Sequence, residues 1–162
     1  MRVVANAGPL MALAQMDHLS LLQELYHQIH IPWVVWDEVV IFGGGRPGAV
    51  EVCAADWIQV VEVHDTTGVR ILRERLGAGE SEAIVLAIEL EADMLLMDEA
   101  RGRRVAEGWG LNTTGTLGTL IMAKKQRLIP AVTPLLDRLR AGGFRMSEDL
   151  YWAARSLAGE TD

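Results

Sequence analysis

Cysteine is nearly absent. Cys53 stands alone, which excludes an internal disulfide and any cysteine-based zinc cluster. Histidine is scarce as well, and His18, His27, His30 and His64 lack the spacing of zinc ligands, so they read as surface residues. Long hydrophobic runs are missing too. The stretches Ile31 to Val35 and Ala83 to Ile88 fall short of the ~18 residues that a membrane span requires. The opening MRVVANAGPL has neither the basic start nor the extended apolar run of a secretory signal, so a cytoplasmic location and no membrane partner are expected. Repeats and low-complexity segments are absent. Half of the 162 residues are hydrophobic and 23% are charged, which excludes disorder and suits a single domain with one well-buried core.

Positive charge is sparse in the first part of the chain. Residues 1 to 100 hold 5 basic and 16 acidic side chains, whereas residues 101 to 162 hold 10 basic and 6 acidic ones. The overall charge of −7 argues against generic nucleic-acid binding, yet 9 basic against 2 acidic residues lie between Arg101 and Arg145. An acidic region beside a basic one suits a metal site flanked by phosphate-binding surface.

What is present alternates. Short apolar strands are expected at Arg2 to Ala5, Ile29 to Ile31, Trp57 to Val63, Met94 to Met97 and Leu111 to Thr113. Helical patterns lie between and after them, including Pro32 to Phe42, apolar on nearly every side, and Glu80 to Glu91. The segment Gly43 to Gly48 reads as a mobile loop. Such alternation predicts a three-layer α/β/α domain around a parallel sheet of four or five short strands, with residues 133–162 as a C-terminal helical extension. Ligands of such sheets bind outside the carboxyl ends of the strands, where Asn6, Asp98 and Thr114 stand.

Three acids from separate segments are expected at that edge. Glu38 is surrounded in its helix by Val34, Val35, Ile41 and Phe42, so its carboxylate needs a partner. Glu80 and Glu82 are two apart and point differently on a helix; Glu82 starts the apolar run Ala83 to Ala87 and is preferred for the site, with Glu80 behind it. Asp98 and Glu99 follow a strand and diverge. Two carboxylates ~4 Å apart repel by roughly 4 kcal/mol at an effective dielectric near 20, so a cluster of three calls for a cation. Oxygen donors favour Mg²⁺ or Mn²⁺ over zinc, and phosphodiester hydrolysis is the matching chemistry.

The stretches Asn6-Ala7-Gly8-Pro9-Leu10, Ile31-Pro32 with Asp37-Glu38-Val39, Leu76 to Ile84, Ala92 to Asp98 and Gly115-Thr116-Leu117-Gly118 occur in an order that resembles the PIN-domain superfamily, in particular its prokaryotic PIN-like proteins. The resemblance implies a Rossmann-like fold and Mg²⁺- or Mn²⁺-dependent cleavage of RNA. It also implies kinship with toxins held by a small antitoxin, often as dimers. The metal-binding positions then fall on Asn6, Glu38, Glu82 and Asp98. Glu99 and Thr114 would orient a water, and Glu80 would lie in support. Arg101, Arg103, Arg104, Lys124 and Lys125 are the candidates for gripping the RNA backbone. One departure stands out, because the superfamily's first strand usually ends in Asp and here ends in Asn6. A silent RNA- or protein-binding module is therefore the rival expectation. A phosphoacceptor domain is disfavoured, since Asn6-Ala7 occupies the place of its paired acids.

Overall fold

Three consecutive apolar residues, Val3–Ala5, are wholly buried and form β1, the central strand of a five-stranded sheet. In the computed structural model, which describes residues 1–160, the other strands are β2 (Ile29–Pro32), β3 (Ile58–Val61), β4 (Met94–Leu96) and β5 (Thr113–Thr114). All pairings are parallel and the order is β3-β2-β1-β4-β5.

Side chains along a strand point alternately to opposite faces, and both faces here are apolar. Val3, Ala5 and Leu96 enter one core, while Val4, Leu95 and Met97 enter another. The first core is closed by α1 (Ala7–Gln15), α2 (Ser20–Tyr26), α8 (Thr116–Lys125), α9 (Thr133–Ala141) and α10 (Glu148–Leu157). The second is closed by α5 (Thr66–Leu72), α6 (Ala78–Glu89) and α7 (Ala100–Gly108). The expected three-layer α/β/α sandwich is thus the observed one.

The third helical segment differs from expectation. It is an α-helical turn, α3 (Trp33–Trp36), that widens into a π-helical turn over Asp37–Ile41, closed by the Phe42 N–H on the Asp37 carbonyl at 2.8 Å. Only one face is buried: Val35 and Val39 are inside, whereas Trp33, Ile41 and Phe42 are exposed. Glu38 lies in the π turn on the exposed side, so it is less desolvated than its apolar neighbours suggested. Helix α4 (Ala49–Ala54) follows the glycine-rich turn.

Strand order sets the site. The chain lays β1, β2 and β3 in one direction, then returns to place β4 on the other side of β1. At such a reversal the connections diverge and leave a crevice beyond the carboxyl ends of the two neighbouring strands. Here those ends lead into Asn6 and Asp98.

Candidate active site

Asn6 continues the β1–β4 ladder by one residue, its N–H donating to the Leu96 carbonyl at 2.9 Å. The residue is 7% exposed, and its Oδ1 is buried without a hydrogen-bond partner. Among the described residues only the Ser81 hydroxyl shares that condition. A buried acceptor that nothing satisfies costs about 1–3 kcal/mol, so a cation or a water there recovers that loss.

Glu38 meets Asn6 across Gly79. A Cβ built on Gly79 would stand 2.5 Å from Glu38 Oε1 and 3.1 Å from Asn6 Oδ1, so only glycine lets the first turn of α6 approach both oxygens. The Gly79 amide faces the Glu38 carboxylate and favours its charged form. Partial loss of water, and then the negative charge of Glu80, push the Glu38 pKa up against the pull of that amide.

Glu80 and Glu82 have different neighbours. Glu80 turns toward Glu38 and Glu99: burial raises its pKa first, Glu99 raises it further, and the Gly77 amide and Arg101 oppose. Glu82 turns the other way, into a pocket with Trp33, Glu62 and Thr66, where its charged neighbours are Arg73 and Asp37. Two residues on a helix are separated by about 200°, so the two carboxylates meet different neighbours. The expected convergence of Glu38, Glu82 and Asp98 is therefore not what forms. Instead the acids are linked pairwise: Glu80 raises the pKa of Glu38, and Glu99 raises those of Glu80 and Asp98.

Asp98 is half-buried and doubly held. The Thr116 N–H donates to its Oδ1 at 2.7 Å and the Thr116 hydroxyl to its Oδ2 at 2.8 Å, at the start of α8. Burial nonetheless raises its pKa, with these bonds and Arg103 pulling it back. Gly8 and Gly115 flank it closely: a Cβ on either would stand 3.2 Å from Oδ2 or 2.6 Å from Oδ1. Thr114 sits one step away, with its hydroxyl against Gly118 in a cavity beyond Asp98. Thr116, not Thr114, is the threonine bonded to the acid. The available signal was a threonine in the first turn after Gly115.

The basic candidates divide. Arg101 and Arg103 lie close enough to Glu80 and Asp98 to offset their charge. Arg104 and Lys125 are exposed. Lys124 is structural: its Nζ donates to the Ala158 carbonyl at 2.6 Å and to Glu160 Oε2 at 2.8 Å. Of the five cations expected to grip RNA, it is the one whose charge is used to join α8 to the end of α10.

Among the described residues no three His, Cys, Asp or Glu side chains form one coordinating cluster. The donors at the crevice still suit a hard cation, because they are all oxygens and one of them, Asn6 Oδ1, is a buried carbonyl without a partner. Mg²⁺ is commonly held by one or two carboxylates with waters and substrate phosphate. A family model described as a PIN domain matches residues 2–160. The chain belongs to the PIN-domain family. Comparison with curated proteins returns no matching relative. PIN domains are nuclease-type domains that generally use divalent metal ions, and the fold described above is theirs. In this PIN domain no helix among the described residues is long and apolar enough to cross a membrane.

Proposed function

We propose that this PIN domain is a Mg²⁺- or Mn²⁺-dependent endoribonuclease, with Asn6, Glu38 and Glu80 holding the cation. The observation that carries the reading is the unpartnered Asn6 Oδ1 beside the Glu38 carboxylate, at the crevice between β1 and β4. A divalent ion bound there supplies Lewis-acid polarisation of the phosphate and a more acidic water. Glu38 and Glu80 must be ionised to bind it, and their mutual repulsion falls when they do. Asp98 fixes the start of α8 beside the crevice and extends the negative charge with Glu99. Arg101, Arg103 and Arg104 lie on the first two turns of α7, which follows Glu99, and suit contacts to the RNA backbone. The partners that fit are RNA, a small antitoxin protein and a second copy of the chain, the latter two on the family resemblance alone.

Purified protein mixed with single-stranded and structured RNA tests the reading. Cleavage is expected only with Mg²⁺ or Mn²⁺, and Glu38→Gln is expected to lower it by about 100-fold or more. RNA left intact under both metals removes the proposal.

A catalytically silent RNA- or protein-binding module is the second reading. The neutral Asn6 favours it, together with the lack of a three-acid cluster among the described residues. New cleavage in Asn6→Asp from an inactive parent supports it.

A further inference from the structure

Beyond Asp98, on the side away from Glu38, lies a cavity of ≈ 440 Å³ between the end of β5, α8 and α10. Pockets of that size accept a small planar molecule. Its lining is largely apolar, through Leu117, Ile121, Phe144 and Leu150, and Leu150 is 45% exposed. Asp98, shared with the candidate active site, forms one end, and Arg103 and Arg145 bring positive charge to the lining. On its wall the Thr113 hydroxyl donates to Glu107 Oε1 at 2.7 Å, which leaves the second Glu107 oxygen as an acceptor.

We infer that this cavity is a subsite for one unstacked nucleobase of the RNA strand, with Glu107 selecting bases that carry an exocyclic amino group over uracil. Every base presents a flat apolar face, and Phe144 with the aliphatic lining receives it. Arg103 and Arg145 suit the phosphates on either side. A carboxylate accepts from the amino group of cytosine or adenine, whereas uracil offers a carbonyl oxygen at the corresponding position. Because the cavity ends on Asp98, a base seated there brings the adjoining phosphate toward the metal site. The inference deepens the RNA-cleaving reading and rests on RNA being the ligand.

The test is fluorescence anisotropy with fluorescein-labelled single-stranded RNAs of about ten nucleotides, adenine-only and uracil-only, in EDTA so that nothing is cleaved. Ala153 lines the cavity and is exposed, so Ala153→Trp fills the space without loading the core. Ala153→Trp and Phe144→Ala are each expected to weaken binding of the adenine RNA by roughly 10-fold or more. Glu107→Gln, which can donate to the uracil carbonyl, is expected to shift the preference toward uracil, an effect that a merely structural role does not produce. Melting curves verify that the variants are folded. Wild-type affinity and base preference in folded Ala153→Trp overturn the inference and leave the cavity to an apolar side chain of a protein partner. A wild type that binds neither RNA overturns it too. Loss of affinity in Ala153→Trp, in a protein that cleaves nothing under Mg²⁺ or Mn²⁺, sustains the subsite while removing the nuclease.

Discussion

Asn6 brings a carbonyl oxygen, and no charge, to a site whose other members repel one another. Replacing it by Asp adds attraction for a divalent ion at nearly constant shape. Asn6→Asp is therefore expected to lower the Mn²⁺ concentration for half-maximal cleavage by roughly tenfold, measured in a metal titration. The raised pKa values of Glu38, Glu80 and Asp98 set the pH dependence. Cleavage is expected to rise with pH through a range above the ordinary carboxylate value of about 4.3, as protons leave the ligands. The stability effect has the opposite sign. Acids whose folded pKa exceeds the unfolded one stabilise the metal-free protein fully below the unfolded value, and that stability is lost as pH rises through the folded value. Asn6, Glu38, Asp98 and Glu99 were legible in the sequence because each ends a strand or interrupts an apolar helix. Glu80 was placed behind Glu82, because two acids two apart on a helix are not ranked by local pattern and only the packing of α6 shows that Glu80 faces Glu38.

Helix ends carry the structural share of the work. Glu160 follows α10 and collects four donors around its carboxylate: the Val132 and Thr133 amides, the Thr133 hydroxyl and Lys124. These bonds outweigh burial and pull its pKa down to about 2, although the side chain is only 14% exposed. A lowered pKa stabilises the fold above the ordinary carboxylate value, and that stability is lost as pH falls toward about 2. Glu160→Gln is expected to cost about 1–3 kcal/mol at neutral pH in denaturant unfolding, the difference from wild type shrinking as pH falls through 4. The opposite condition holds at Ser81, whose buried hydroxyl lacks a partner. Ser81→Ala is expected to leave the melting temperature unchanged or raised, since it removes a desolvated polar group. Most elements were visible in their periodicity. The π turn at Asp37–Ile41 was not, because its sequence is as apolar and regular as that of an α-helix and only packing selects the wider turn.

Across the whole molecule, the parallel sheet followed from the alternation of short apolar strands with helices. The crevice depends on strand order, which local pattern does not specify. Nor does charge count reveal which cations are free, as Lys124 shows by closing α10 onto α8. Lys124→Ala is expected to lower the melting temperature with little change in RNA affinity. Arg104→Ala is expected to weaken RNA binding and to flatten the slope of log affinity against log salt by about 0.7. The most direct measurement is the Mn²⁺-dependent rise in melting temperature of the wild type, Glu80→Gln and Glu82→Gln. A cation held at the crevice by Asn6, Glu38 and Glu80 should raise the melting temperature of the wild type and of Glu82→Gln alike, with the rise largely lost in Glu80→Gln. An equal rise in Glu80→Gln, or none in the wild type, contradicts the site.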